Sequence, residues 1–297
     1  MTEAAHAPIA ASVTIDAATQ VRRRRPVNGM LIAGITIIAL VALIGYIGPL
    51  LVDTKLADVG ATIPAQPPSW QHLLGTDVQG RDVLALLVLG TPQTLKIGLI
   101  AGVVGLAIGV VLGLTSGYFG GYADTAIRLV TDVFLTIPTL AILIVVASMV
   151  RVLSIEGMAL IVASLAWMGP TRTIRSQMLT LRERRYVELA RLSGMNHFEI
   201  IFTEIMPNLI PFIAATLVLS VSTGILAAIG LEILGLGPSH LPSLGMLIFW
   251  SQFYDALFRG MWWWVMPPIV VLVLIFAGLF MISAGLDRVS NPRLRKQ

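Results

Sequence analysis

Cysteine is absent from the 297-residue chain, and charge is scarce: only 12% of residues are Asp, Glu, Lys or Arg. The first absence excludes a disulfide framework, a cysteine-ligated zinc or iron–sulfur site, and a cysteine nucleophile. The second excludes a water-facing globule, in which about 25% of residues are charged. With 56% hydrophobic residues and a mean hydropathy of +0.87, the chain reads as a polytopic membrane protein and not as a disordered one. Lysine is confined to Lys55, Lys96 and Lys296, none behind a glycine-rich turn, and no GxxxxGK[ST] occurs. The chain therefore has no phosphate cradle of its own for ATP. His6, His72, His197 and His240 lack metal-ligand spacing, no GxSxG is present, and no span holds paired carboxylates. Neither a metal site nor hydrolase chemistry is expected.

Long uncharged runs are what the chain has instead. A bilayer core needs about 20 apolar residues as helix. Runs at 29–52, 97–117, about 157–171, 205–231 and 261–286, with a third that starts near 126, carries Arg128 and Asp132 at its inner end and is uncharged from 133 to 150, supply six candidate spans, and Pro138 is a kink site in the third. Basic residues cluster three times. Arg22–Arg25 precede the first span, Arg172, Arg175, Arg182, Arg184, Arg185 and Arg191 follow the fourth, and Arg288, Arg293, Arg295 and Lys296 follow the sixth. Six spans with both termini inside put all three clusters in the cytoplasm. The pI near 9.8 is then a by-product of topology and not a sign of nucleic-acid binding. The expected organisation is an all-α membrane protein. It has a cytoplasmic tail at 1–25, a first transmembrane helix at 26–52, an extracytoplasmic loop at 53–93, a transmembrane domain at 94–286 and a cytoplasmic tail at 287–297.

Within the second span, Gly105, Gly109, Gly113 and Gly117 recur every four residues, a small-residue face on which another helix can pack closely. Trp262, Trp263 and Trp264 stand where interface anchors are expected at the start of the sixth span. Ser220, Ser222 and Thr223 in the fifth span, with Glu232 at its end, are candidate pathway-lining groups. Hydroxyls bonded to their own helix are an equal reading.

Between the fourth and fifth spans, 179–207 is too structured for a connector. Leu179 to Leu192 are good helix formers, and Gly194 can end that helix in the left-handed region. Asn196 with Glu199 resembles a capping box, after which Phe198, Ile201 and Phe202 recur at helical spacing before Pro207. A helix, a glycine turn and a second helix make a rigid knob suited to a partner's groove.

These residues carry a resemblance. Glu188-Leu189-Ala190, Gly194 and Ile205-Met206-Pro207 resemble the EAA loop of ABC importer permeases, with Leu189 in place of the usual second alanine. Gly75-Thr76-Asp77-Val78-Gln79-Gly80-Arg81-Asp82 resembles the GTDxxGRD signature of the peptide/nickel/opine permeases. Gly117-Tyr118-Phe119-Gly120-Gly121, Leu234-Gly235-Leu236-Gly237 and Asn291-Pro292-Arg293-Leu294-Arg295 are similar to the dipeptide/oligopeptide "C" type. The resemblance implies a MetI-like bundle in a bacterial inner membrane. In it Arg185, Tyr186, Glu188, Leu189, Ala190, Leu192, Gly194, Asn196, Phe198, Ile205 and Pro207 form the ATPase-coupling loop. It also implies a second, B-type permease, two ATP-binding subunits that hold ATP and Mg, and an extracytoplasmic substrate-binding protein. The alternative is a stand-alone secondary transporter or channel, which predicts internal repeats with matching broken helices.

Overall fold

A computed structural model of the chain describes residues 28–150, 153–238 and 241–290. The arginine run at 22–25 and the Asn291–Arg295 motif lie outside them. The described residues are helical apart from loops and one isolated bridge, Thr76 to Asp82.

α1 (Gly29–Leu51) starts at Asn28, whose Oδ1 caps Leu31 N and whose Nδ2 donates to Gly285 O at 2.6 Å. A loop with one 3-10 turn (Thr54–Ala57) leads to α2 (Val83–Phe119), capped by Asp82. The stretch from Val83 to Gln93 is thus helix and not loop. Its apolar residues Val83, Leu86, Leu87 and Val88 are buried by neighbouring elements, which overrides the polar look of the segment around it. At 37 residues α2 is about 55 Å long, well beyond a hydrocarbon core of about 30 Å.

α3 (Gly121–Thr136) and α4 (Thr139–Ser148) meet at Pro138 with a bend of 82°. The kink expected there is a break. α5 (Ile155–Ala166) and α6 (Met168–Leu181) follow each other through Trp167, which keeps right-handed helical angles. Pro170 has no N–H for the Ala166 carbonyl, which accounts for the interruption. α7 (Arg185–Leu192) is separate from α6, so 179–192 is two helices parted by a turn at Arg182–Arg184. α8 (His197–Glu199) runs through a π-turn (Ile200–Ile205) into α9 (Met206–Ile233). Met206 N bonds Ile201 O, and this wider turn accommodates Pro207, which has no N–H to give Thr203. α10 (Leu244–Phe253) and α11 (Trp262–Ser290) complete the chain.

Among the described residues, four helical runs are each long and apolar enough to cross a membrane: α1, α2, α8–α9 and α11. The bent α3–α4 pair makes a possible fifth. The 53–82 loop marks one end of the bundle, here the loop end, and α7, α8 and the π-turn, together called the handle, mark the other, the handle end. α2 joins the two. Its glycines form a seam with α5–α6: a Cβ on Gly105 would lie 2.6 Å from Ala166 Cβ, on Gly109 2.5 Å from Pro170 Cβ, on Gly113 2.8 Å from Ile174 Cβ and on Gly117 2.6 Å from Met178 Cβ. Four consecutive turns of α2 are thus in backbone-close contact with one partner.

Candidate functional site

The handle is fixed to the bundle from beneath. Val187 and Ala190 of α7 are buried with Ile174 and Met178 of α6, Ile200 and Ile205 of the π-turn, and Leu209 of α9. α7 ends in a Schellman motif: Gly194 N bonds Arg191 O, Met195 N bonds Ala190 O, and Gly194 sits at φ +83. Asn196 Oδ1 then accepts from Glu199 N at 2.8 Å. With its inner face so occupied, the handle presents Leu189, Leu192, Phe198 and Phe202 outward, each more than 60% exposed, beside exposed Arg185 and Glu188. Burial pushes the Tyr186 phenol above its ordinary range. It remains a neutral hydroxyl, with no hydrogen-bond partner among the described residues. Ile205 is buried and Pro207 occupies the first turn of α9.

A clasp between α2 and the handle is absent from the sequence expectations. Tyr118, 7% exposed on the last turn of α2, places its hydroxyl 3.0 Å from His197 Nδ1, and Arg191 lies over its ring at 5.7 Å. Arg182 Nη1 donates to Gly117 O at 2.9 Å one residue earlier. A Tyr, a His and two Arg far apart in sequence give no local signal. The place itself is marked by the end of the glycine face at Gly117 and by the Gly117-Tyr118-Phe119-Gly120-Gly121 stretch that resembles the "C" type. Tyr118→Phe removes one hydrogen bond, worth about 1 kcal/mol. Tyr118→Ala also removes the ring, at about 3–5 kcal/mol. Limited trypsin cleavage at Arg184 to Arg191 is expected to quicken slightly in the first variant and strongly in the second. Equal rates in all three proteins would remove the clasp from the account.

At the loop end the 75–82 signature is a knot of internal bonds. Thr76 Oγ1 donates to Ile63 O and accepts from Gln66 N. Asp77, fully buried, accepts from Gln79 N, Arg81 N and Arg81 Nε at 2.8, 2.9 and 2.6 Å. Asp82 caps Ala85 N with one oxygen and meets His72 Nδ1 at 2.7 Å with the other. Gly75, at φ +68, lies under the Trp263 ring, where a Cβ would come within 2.6 Å of Cδ1. Gly80 is the second left-handed turn residue. Gln79 Nε2 donates to Tyr254 Oη, tying the knot to the end of α10.

The tryptophan row does not act as one anchor. Trp262 is 57% exposed, Trp263 donates to Thr76 O and Trp264 is fully buried. Successive helical residues point about 100° apart, so three in a row occupy three faces.

The four candidate pathway groups do not converge. Ser222 Oγ donates to Val218 O, and Thr223 Oγ1 to Ser220 O. Ser220 is 4% exposed. Thr223 borders a cavity of about 210 Å³ between α4, α5–α6 and α9, together with Leu143, Val162 and Gly224. Glu232 faces α10 instead. It is fully buried, Oε1 accepts from Ser243 Oγ at 2.7 Å, and Gly237 and Gly245 leave the room it fills. Leu244 N next to it donates to Thr94 Oγ1 of α2, so α10 is fastened to both α9 and α2. Among the described residues no group of His, Asp and Glu could hold a metal ion.

Residues 109–296 match the family of binding-protein-dependent transport system inner membrane components. The chain belongs to that family. The permease is 31% identical over 280 residues to the oligopeptide transport system permease protein OppC of Mycobacterium bovis, covering 93% of this chain and 95% of that one. It is 31% identical over 270 residues to the dipeptide transport system permease protein DppC of Alkalihalophilus pseudofirmus, covering 90% and 87%. A chain of the MetNI methionine ABC transporter, solved in inward-facing conformations, shares the fold. Its TM-score is 0.55, with 19% identity over 69% of the permease and 94% of that chain.

Proposed function

We propose that the permease is one half of the membrane channel of an ATP-driven importer of peptides in a bacterial inner membrane. Six crossings carry it, with α5–α6 continuing through Trp167 as the one that length alone does not count, and both termini lie in the cytoplasm. The handle end is cytoplasmic, in keeping with the arginines on α6 and α7. A second permease completes the pathway, two ATP-binding subunits hold ATP and Mg, and a binding protein delivers substrate at the loop end. The names of the relatives support a di- or oligopeptide cargo.

One observation carries this reading. The handle is anchored through Val187 and Ala190, yet it exposes Leu189, Leu192 and Phe198 at its tip. An amphipathic helix lying on lipid needs no glycine-capped, hydrogen-bonded junction to the bundle, whereas a lever that transmits force does. The test is ATPase activity in the complex that co-purifies with the full-length chain. Gly194→Pro is the control: the new residue cannot take φ +83 and removes the N–H that bonds Arg191 O. Activity that co-elutes with the wild type and is lost or uncoupled in the variant supports the reading. A chain that purifies alone and still moves solute overturns it in favour of a secondary carrier.

A further inference from the structure

α3 and α6 meet at the handle end, and the groove between them gathers charge. Asp124, Arg128 and Asp132 recur every four residues on α3 and share one face, opposite Arg172 and Arg175 of α6. The five do not pair off. Asp124 takes Arg175 through both carboxylate oxygens, one of them 2.7 Å from Nη2, and also accepts from Ser116 Oγ. Arg128 and Arg172 are exposed, and neither has a carboxylate within salt-bridge distance among the described residues. Between them lies a cavity of about 140 Å³, bordered also by Asp132, Thr131 and Thr171. Three guanidiniums face two carboxylates, leaving one positive charge in excess and two forks of N–H donors open.

The flanks of the groove indicate its depth in the membrane. Leu129, Val130 and Val133 on α3 are 64%, 45% and 52% exposed beside Arg128. A turn or so further into the bundle, Phe134 and Trp167 meet edge to face at 6.3 Å. Tryptophan concentrates where acyl chains give way to headgroups. A guanidinium fork matches two oxygens of a phosphate diester, and a basic pocket between membrane helices at that depth is the setting in which lipid phosphates are held.

We propose that the α3–α6 groove binds the phosphate of an anionic phospholipid. Arg128 and Arg172 donate to the phosphate oxygens. Arg175, held by Asp124, adds charge without moving. The acyl chains run over Leu129, Val130 and Val133. Asp132 opposes the lipid and limits the site to one phosphate. The bound lipid bridges α3 and α6 on the handle side of the 82° break, and this holds whatever the permease carries.

The test is native mass spectrometry of the full-length protein, with the subunits that assemble on it, extracted in mild detergent and exposed to mixed phosphatidylglycerol and phosphatidylcholine. Wild type is expected to retain phosphatidylglycerol. Arg128→Gln/Arg172→Gln is expected to lose it by about tenfold. Arg128→Lys/Arg172→Lys keeps the charge and recovers part of the retention, and Asp132→Asn, of opposite sign, raises it by about twofold. Inorganic phosphate is the second arm: millimolar phosphate leaves the lipid in place if the headgroup is the ligand. Equal retention in wild type and the glutamine pair, equal retention of phosphatidylcholine, or displacement of the lipid by phosphate alone overturns the proposal. Where the glutamine pair does not assemble, Asp132→Asn decides, and unchanged retention in that variant is the contrary result. None of these readouts needs ATP or transport, so failure here is distinct from failure of the importer reading.

Discussion

Asp77→Ala is expected to dismantle the loop end and to abolish transport while the ATP-binding subunits still co-purify. The Asp77 carboxylate is fully buried and receives two backbone N–H groups and the Arg81 guanidinium. Without it, an Arg81 side chain that is only 14% exposed loses its counter-charge inside the knot. Breaking a buried pair from one side costs about 3–5 kcal/mol, a large part of the 5–15 kcal/mol that holds a typical domain together. The damage extends past the turn, because Gln79 reaches Tyr254 of α10 and Thr76 O receives Trp263 of α11. Asp77→Asn, which can still accept from both N–H groups, is expected to lose less. The measurement is a thermal midpoint in detergent alongside peptide uptake in vesicles. An Asp77→Ala protein that melts with the wild type and transports normally would mean that the signature is not a structural knot.

Gly109→Leu is the second large effect, and it acts on folding itself. Even a Cβ at Gly109 would lie 2.5 Å from Pro170 Cβ and 3.0 Å from Thr171 N, at the point where α6 begins again after Trp167. Backbone and a proline ring cannot rotate away, so the helices must part along the whole seam. Overpacking of this kind costs about 1–3 kcal/mol and occasionally more, and a leucine adds three carbons beyond the Cβ. The variant is expected to accumulate in membranes at a small fraction of the wild-type level. Gly169→Ala is the matched control, since a Cβ there meets nothing within 4 Å. Similar loss in both variants would show that α2 and α6 do not pack as described.

Much of this arrangement is legible where one local rule decides. Spacing of four placed the glycine face, and Gly194 with Asn196 marked the two ends of the handle's turn, because caps and left-handed glycines are properties of a few neighbouring residues. What the sequence could not yield is set by tertiary contact. The early start of α2 depends on burial of Val83 to Val88 by distant elements. α10 is too short to register as a span, and its fastening relies on Glu232, Ser243 and Thr94 meeting from three helices. The same distance hid the Tyr118–His197 clasp. Glu232 is close in sequence to the hydroxyls of the fifth span, but its side chain turns to α10, a choice made by the space that Gly237 and Gly245 leave. Trp264 matches its two neighbours in composition, and helical geometry turns it away from them into the core.

The central claim is that handle, bundle and loop end belong to one ATP-driven machine, in which this chain is one of two permease subunits. The measurement that tests it most directly is uptake of a labelled peptide by vesicles holding the full complex, with the binding protein on one side and ATP on the other. The account predicts accumulation only when the binding protein faces the 53–82 loop and ATP is supplied on the side of α7. It predicts none from this chain alone. Uptake by the chain alone, indifferent to ATP and to the binding protein, would contradict it.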